Sequence, residues 1–184
     1  MCWWHCQELG WCEWLIAACV IWVLDRVLRI FRMSLFGYQQ AHIEIINEES
    51  FKVTIKKPKL FHSGPGQFGY VYFSDPLLWF QNHPFTILNE GEYLVFYIKH
   101  KSGITGKIYT QLVTAGGKLT KKVCVEGPYG DVAPVAKYKN ALMVAAGAGF
   151  PGVFGHALEM TQKDNPQNIK LIWVQKSFAG AQFR

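Results

Sequence analysis

The chain has 184 residues, of which 50% are hydrophobic and 15% are aromatic, so it can bury a core and is not a disordered protein. Its formal net charge is +6, but the lysines are scattered and no basic patch is interleaved with aromatic residues, which argues against a nucleic-acid partner. A phosphate-bearing small ligand or an anionic membrane surface explains the excess charge more simply.

The first element is an apolar run, WCEWLIAACVIWVL, which spans residues 11–24 and contains a single charged residue. It is shorter than the ~20 residues needed to cross a bilayer, and three arginines follow it at helical spacing, Arg26, Arg29 and Arg32. By the positive-inside rule this end faces the cytoplasm. We therefore expect residues 1–34 to be the end of a transmembrane helix with a basic cytoplasmic flank. A buried helix of a soluble protein is the alternative.

The amino-terminal cysteines raise the question of a metal site. Four of the five cysteines lie in the first twenty residues, without the paired Cys-x-x-Cys knuckles and histidine spacing of a zinc site. We expect them to be small polarisable side chains in a helix, and we expect no bound metal.

Short strands fill the middle of the chain. The stretch AHIEIINEESFKVTIKKP predicts two strands around a polar turn at residues 47–50, because apolar and polar residues alternate along the second strand. Four further stretches are short, aromatic or β-branched, and bounded by turn residues: GPGQFGYVYF, HPFTILN, EYLVFYIKH and KKVCVEG. This spacing favours a small antiparallel β-barrel over residues 35–137 rather than an α/β repeat.

The pattern changes in residues 138–184. An apolar run is followed by a loop with Gly147, Gly149 and Gly152, then by a helix-like stretch and the apolar run NIKLIWVQ. Strand, loop, helix and strand in this order predict part of a parallel α/β nucleotide-binding domain, in which the glycines let the backbone approach a diphosphate. A tight turn that needs glycine is the alternative. Lys176 follows the second strand and is a candidate for NADP preference.

Five short motifs carry a resemblance to a known family. They occur along nearly the whole chain in this order: DRVLR, PGQF at 65–68, HPFT at 83–86, EGPYG at 126–130 and AGAGFPG at 146–152. Together they resemble the ferric reductase and NADPH oxidase flavoprotein family, and within it the fungal ferric or cupric reductase transmembrane components. The resemblance implies a membrane-proximal helix, an FAD-binding antiparallel β-barrel of the ferredoxin-reductase type and a partial NADPH-binding α/β domain. It also implies a truncated member of the family.

The resemblance implies that HPFT lies against FAD. In that reading Phe85 packs near the isoalloxazine, and Thr86 is the catalytic residue that offers its hydroxyl to the N5 region of the flavin. His83 lies toward the diphosphate, and Pro84 belongs to the same cofactor-binding motif.

A second flavin segment is implied in YIKHKSGITGKIYT. Lys99 would balance diphosphate charge, while Gly103 and Thr105 would supply N–H and hydroxyl donors. A solvated turn at Lys99 is the alternative.

The two glycine-rich motifs are implied to hold the nicotinamide nucleotide. In EGPYG, Gly127 and Gly130 would shape a turn that Pro128 makes rigid, and this turn, with Tyr129, would lie beside the incoming nucleotide. The glycines of the loop at residues 147–152 would face its diphosphate.

By resemblance, NADPH reduces FAD, and electrons then pass through membrane haems to ferric or cupric chelates for metal uptake. The paired histidines that bind haem b in the full-length family are absent, and His5 lacks a partner. We expect this chain to bind FAD weakly and not to support transmembrane electron flow alone. The alternatives are a non-catalytic remnant that associates with a full-length reductase, or a superoxide-producing NADPH oxidase. The expected location is the plasma membrane, in contact with lipid, with the FAD and NADPH domains on the cytoplasmic side.

Overall fold

The computed structural model describes residues 2–78, 81–161 and 168–175. The chain divides into two compact units, residues 1–37 and residues 38–184.

The first unit is helical. Helix α1 spans Cys2–Glu8 and helix α2 spans Cys12–Phe36, and no described side chain of α2 is buried. In the second half of α2, Asp25 forms ion pairs with Arg26 and Arg29, and the Arg26 guanidinium lies 5.5 Å from the ring centre of Trp22. The sequence predicts the end of a transmembrane helix here. Within the described parts of the chain, no helix combines the length and the apolar character that crossing a membrane requires.

The second unit contains one antiparallel sheet of seven strands among the described residues, in the order β4-β3-β7-β1-β2-β6-β5. The strands are β1 Tyr38–Asn47, β2 Ser50–Lys56, β3 Phe68–Phe73, β4 Asn82–Thr86, β5 Leu88–Glu90, β6 Tyr93–Lys99 and β7 Lys118–Tyr129. The predicted hairpin is present, because β1 and β2 pair around residues 47–50. The other four predicted strand stretches are also present.

The sheet curls back on itself at Ile87. Strands β4 and β5 lie at opposite edges of the sheet, yet only Ile87 separates them in the chain. Its side chain is 1% exposed, and its N–H donates a 2.9 Å hydrogen bond to the carbonyl oxygen of Gln67. The segment of residues 82–90 therefore closes the sheet into the barrel that the sequence predicts.

The barrel core is built from alternating apolar residues. On β2, Phe51, Val53 and Ile55 are buried, while the residues between them are half-buried. Helix α3, Ile104–Thr114, contributes further buried apolar side chains at a spacing of four: Ile104, Ile108 and Leu112. The sequence analysis did not predict this helix, although its apolar spacing is the signature of a helix face.

The carboxyl-terminal part has a different topology. Strands β8, Asn140–Ala146, and β9, Asn168–Val174, pair in parallel, and helix α4, Phe150–Thr161, lies between them in sequence. A short 3₁₀ turn at Gly147–Gly149 leads into α4, and Pro151 occupies its first turn, where a missing N–H costs nothing. The structure thus contains the predicted strand-loop-helix-strand unit.

Candidate functional site

The HPFT motif forms β4, an edge strand that pairs with β3 and, within the described residues, with no other strand. This position explains the proline, because Pro84 cannot donate to a second neighbouring strand. Side chains alternate along the strand. His83 and Phe85 therefore share one face, with ring centres 6.3 Å apart, and Pro84 and Thr86 share the other.

The residues of β4 are accessible to a ligand. His83 and Pro84 are exposed, and Phe85 and Thr86 are half-buried. A flavin nucleotide can bind to such an edge strand, because the strand offers an accessible phenyl ring, an imidazole and a hydroxyl. The ring system can stack on Phe85, and its polar rim can form hydrogen bonds with the other groups. These residues fit FAD.

The start of helix α3 is held next to β4. The Gln81 side chain, one residue before the strand, accepts a 3.0 Å hydrogen bond from the Ile104 N–H, and Gly103 begins the helix with φ +80°. A Cβ atom on Gly106 would lie 2.3 Å from the carbonyl oxygen of Lys101, so only glycine permits this close backbone approach. The predicted second flavin segment therefore lies beside HPFT.

Two of the predicted residues in this segment have partners inside the protein. Thr105 is 4% exposed, and its hydroxyl oxygen accepts a 3.1 Å hydrogen bond from the Lys101 N–H. Lys99 is exposed and forms an ion pair of 2.5 Å with Glu49. Such a solvated pair contributes little to stability and can be exchanged for another anion.

A buried carboxylate anchors the segment before β4. Asp75 is 4% exposed and accepts hydrogen bonds from the Leu77 and Leu78 N–H groups, both 3.0 Å long. Lys107 on α3 lies 2.8 Å from it, and this ammonium group holds the pKa of Asp75 below its usual value. Sequence reasoning missed Asp75, Gln81 and Lys107, because no motif or spacing marks these long-range contacts.

Gln67 of the PGQF motif joins three of the motifs. Its side-chain oxygen accepts a 2.8 Å hydrogen bond from the Gly64 N–H, and its side-chain nitrogen donates one of 2.6 Å to the carbonyl oxygen of Gly130. Its main-chain oxygen accepts from Ile87, directly after HPFT. PGQF, HPFT and EGPYG therefore meet at one end of the barrel.

EGPYG forms a bulge rather than the predicted turn. Strand β7 continues to Tyr129. Phe68 pairs with Tyr129 and Tyr70 pairs with Glu126, so one residue of β3 but two residues of β7 lie between these pairs. The extra residue on β7 makes this a β-bulge. Gly127 has φ +149°, and a Cβ atom there would lie 3.2 Å from Gly69 Cα, so the bulge requires glycine.

Three aromatic rings cluster on the face of the sheet that carries Thr86, and we call them the aromatic platform: Phe68, Tyr70 and Tyr129. Their ring centres are 5.7 to 6.0 Å apart. The strand register places Phe68 opposite Thr86 and Tyr70 opposite Pro84, so the platform lies next to HPFT.

The glycine loop is open on one side and contacts the barrel on another. Gly147 and Gly149 are exposed, and among the described atoms none lies within 4 Å of a Cβ built on either. The carbonyl oxygen of Gly147 accepts a 3.1 Å hydrogen bond from the Trp173 indole. A Cβ built on Gly152 would lie 3.7 Å from Thr86 Cγ2, so the start of α4 meets HPFT.

His156 of α4 packs against the PGQF loop. It is 9% exposed, and its Nε2 lies 2.9 Å from the Cβ position of Gly66. Burial lowers its pKa below the usual value, and the nearby Glu159 opposes this shift. The contact was not visible in the sequence, where His156 is one polar residue in an apolar helix.

Lys176 lies outside the described residues. In the described part of the chain, no three histidine, cysteine, aspartate or glutamate side chains come together as a metal site.

Comparison with known proteins identifies the family. A profile of an FAD-binding domain matches residues 35–133, more than half of the chain. The chain belongs to this FAD-binding family. The matched region covers the barrel, α3 and the whole of the EGPYG motif.

Relatives with curated names confirm the resemblance to ferric and cupric reductases. Ferric/cupric reductase transmembrane component 2 of Saccharomyces cerevisiae is 36% identical over 96% of this chain and 26% of that protein. Ferric reductase transmembrane component 3 of the same yeast is 37% identical over the same shares. The chain thus spans about a quarter of the length of these relatives.

Solved structures confirm the fold class of the FAD-binding family member. A ferredoxin NADP+ reductase from Neisseria gonorrhoeae with bound FAD and NADP matches with a TM-score of 0.62 at 12% identity, over 78% of this chain and 59% of that chain. The CS-b5R domains of human Ncb5or match with a TM-score of 0.59 at 19% identity, over 80% of this chain and 46% of that chain. The ferredoxin-reductase type of fold is therefore shared.

Proposed function

We propose that this chain is the flavin-binding part of an oxidoreductase that takes electrons from NADPH and delivers them, through FAD, to ferric or cupric acceptors. The observation that carries the proposal is the meeting of two motifs: HPFT at the edge of the barrel lies against the first turn of α4, with Thr86 Cγ2 3.7 Å from the Cβ position of Gly152. A flavin on one motif and a nicotinamide on the other would then be neighbours.

On the barrel side, β4 and the start of α3 hold FAD. We place FAD along the free edge of β4, where it borders both faces of the strand. Phe85 and His83 would meet it from one face, as a stacking ring and a group for the diphosphate, and Thr86 would offer its hydroxyl from the other. Backbone N–H groups near Gly103 and the ammonium group of Lys99 supply further positive potential for the diphosphate. When bound, FAD supplies two-electron acceptance from a hydride donor and one-electron release to a metal.

On the α/β side, the glycine loop holds NADPH. Gly147 and Gly149 leave open space where side chains would stand, so a diphosphate can approach the backbone at the start of α4. The bulge formed by Gly127 and Pro128, with Tyr129 and Gly130 after it, borders the nicotinamide end. The role of this chain is to bind and align the two nucleotides, and the cofactors provide the redox chemistry.

The membrane and acceptor parts of the proposal rest on the relatives. Their names describe transmembrane components of ferric and cupric reductases. We extend this to a plasma-membrane protein with its flavin domain on the cytoplasmic side, where Arg26, Arg29 and Arg32 favour an anionic lipid surface. Haem b carried by a full-length reductase would then relay electrons outward, with this chain acting as part of, or associated with, such a reductase.

Anaerobic bleaching of bound FAD tests the central electron transfer. Purified full chain in detergent is loaded with FAD, NADPH is added, and the visible absorbance of the flavin is followed. We expect bleaching in the wild-type chain. In Gly149→Val we expect slower bleaching with unchanged FAD content, because the new side chain fills the open approach to the backbone. Equal bleaching in both, or none in the wild type, would contradict the proposed NADPH site.

A further inference from the structure

A carboxylate is fully buried in the barrel beside the proposed flavin site. Glu126 on β7 has an exposed fraction of 0%. Two tyrosine hydroxyls donate to it: Tyr72 bonds to Oε2 at 2.7 Å, and Tyr129 bonds to Oε1. This carboxylate has no role in the electron transfer proposed above.

Burying a carboxylate costs free energy unless hydrogen bonds replace its water shell. Apolar residues of similar volume often stabilise a protein as well as a buried ionic group does, or better. Stability alone therefore does not explain Glu126. The carboxylate orients two side chains, because each of its oxygens accepts a hydrogen bond from one tyrosine hydroxyl.

The two tyrosines differ in where their rings lie. Tyr72 is 8% exposed and lies opposite Asn82, at the far end of β4 from Thr86. Tyr129 is half-buried and belongs to the aromatic platform, with its ring centre 5.8 Å from Phe68, which lies opposite Thr86. Of these two tyrosines, Tyr129 is therefore the one whose ring lies next to the proposed flavin site.

The bulge makes this connection possible. The bulge adds one residue to β7 between Glu126 and Tyr129. The Tyr129 side chain lies along its own strand, and its hydroxyl donates a hydrogen bond to the Glu126 carboxylate. Gly127 supplies the close approach, since its Cβ position lies 3.6 Å from Tyr129 Cδ2 and 3.3 Å from the carbonyl oxygen of Phe68. The ring is thus held at both ends, by its backbone and by its hydroxyl.

We propose that Glu126 is a positioning residue that fixes the Tyr129 ring as one wall of the flavin-binding site. This inference rests on the proposed function, because it assumes that FAD lies along the free edge of β4 and that the aromatic platform borders it on the Thr86 face of the sheet. With the hydroxyl held, the platform presents one ring orientation to the cofactor, and no binding free energy is spent on ordering it. Without that hydrogen bond, Tyr129 samples other rotamers and the wall is lost in part of the molecules.

Three matched variants of the full chain test this: Glu126→Gln, Tyr129→Phe and Tyr72→Phe. Each is titrated with FAD, and the dissociation constant and the shape of the visible flavin band are recorded beside the thermal unfolding midpoint. We expect Glu126→Gln and Tyr129→Phe to raise the dissociation constant by roughly 3- to 10-fold and to change the band shape, as loss of one orienting hydrogen bond predicts. A fourth variant, Glu126→Gln combined with Tyr129→Phe, should bind FAD no more weakly than the weaker of these two single variants, because both changes act on the same contact.

Tyr72→Phe removes the other donor to the same carboxylate. It should lower the unfolding midpoint and leave both the dissociation constant and the band shape unchanged. If Tyr72→Phe weakens FAD binding as much as Tyr129→Phe does, or if Tyr129→Phe binds FAD as the wild type does, the inference is wrong. If Glu126→Gln does not fold, the FAD affinity of Tyr129→Phe tests the inference, because this variant keeps the ring and loses only the hydroxyl. No FAD uptake by the wild-type chain would instead refute the proposed function itself.

Discussion

Thr86 at the end of β4 and Gly152 in the first turn of α4 are direct neighbours, with Thr86 Cγ2 3.7 Å from the Cβ position of the glycine. The two residues lie 66 positions apart in the sequence and belong to two different motifs. Because 3.7 Å is an ordinary contact distance, a Cβ atom on Gly152 would just touch the Thr86 methyl group. HPFT and the first turn of α4 are therefore neighbours in the fold.

The hydroxyl of Thr86 should matter for the flavin and not for the fold. We expect Thr86→Ala to weaken FAD binding by about 3- to 10-fold, the usual effect of one lost hydrogen bond, while Thr86→Ser keeps wild-type affinity. Thr110→Ala on the exposed face of α3 is the control, since its hydroxyl bonds only within the helix, to the carbonyl oxygen of Gly106. FAD titration of the four proteins gives the answer, and equal affinity of Thr86→Ala and wild type would remove Thr86 from the site.

Gly106 should be essential for the start of α3. In Gly106→Ala the new Cβ would lie 2.3 Å from the Lys101 carbonyl oxygen, and the backbone must shift to relieve this overlap. We expect a loss of about 1–3 kcal/mol in the free energy of unfolding, the usual cost of overpacking. Gly149→Ala is the control, because the described atoms leave its Cβ position open. Urea unfolding should show a lower midpoint only for Gly106→Ala, and the same midpoint for both would show that the loop can yield.

The sequence predicts local structure well in this protein. Alternation of Phe51, Val53 and Ile55 identifies a half-buried strand, and Pro84 within HPFT fits an edge strand because proline lacks a donor. The glycine loop is recognisable because a strand precedes it and a helix follows it. Each of these signals lies within a few neighbouring residues.

Long-range contacts and backbone detail were not predictable in this way. The bonds of Asp75 to Lys107 and of Gln81 to Ile104 join residues more than twenty positions apart, and neither pair belongs to a motif. EGPYG has the composition of a turn, yet pairing with β3 holds it in the sheet, so tertiary structure overrides the local preference. The sequence around Lys99 and Gly103 predicts a cofactor segment or a solvated turn, whereas the structure has helix α3 from Ile104 onward.

The ion pair of Asp75 and Lys107 should stabilise the segment that leads into HPFT. Lys107→Met leaves the buried Asp75 carboxylate without its ammonium partner. We therefore expect a lower unfolding midpoint and weaker FAD binding. Because Lys107 keeps the pKa of Asp75 low, Asp75 adds stability above its unfolded pKa, and this is lost as the pH falls. Acid unfolding of Lys107→Met should therefore begin at a higher pH than in the wild type.

Lys118→Met provides the matched control for this prediction. Lys118 is 82% exposed and lies 3.8 Å from Glu44, so its ion pair is solvated and contributes little. Thermal and acid unfolding of this variant should follow the wild type. An equal effect of the two substitutions would show that general loss of positive charge, and not the Asp75 contact, is responsible.

His156 should make stability fall in mild acid. Its folded pKa is lowered by burial, so below the unfolded value of about 6.5 the unfolded chain binds a proton that the folded chain does not. The stability present above that pH is therefore lost as the pH falls toward the folded pKa. We expect His156→Gln to flatten the decline of the unfolding midpoint between neutral pH and about pH 5, the acid side of that value. His62→Gln, at an exposed histidine, should keep the wild-type slope, and parallel slopes for all three proteins would contradict the role of His156.

FAD binding by the purified, detergent-solubilised chain, measured as visible flavin absorbance retained after gel filtration, tests the flavin site most directly. We expect weak, saturable uptake by the wild type. Phe85→Ala should lose most of it, because the ring that stacks on the flavin is gone, while Tyr93→Ala, at an exposed aromatic residue of β6, should retain it. No uptake by the wild type, or equal uptake by Phe85→Ala, would show that the edge of β4 is not the flavin site.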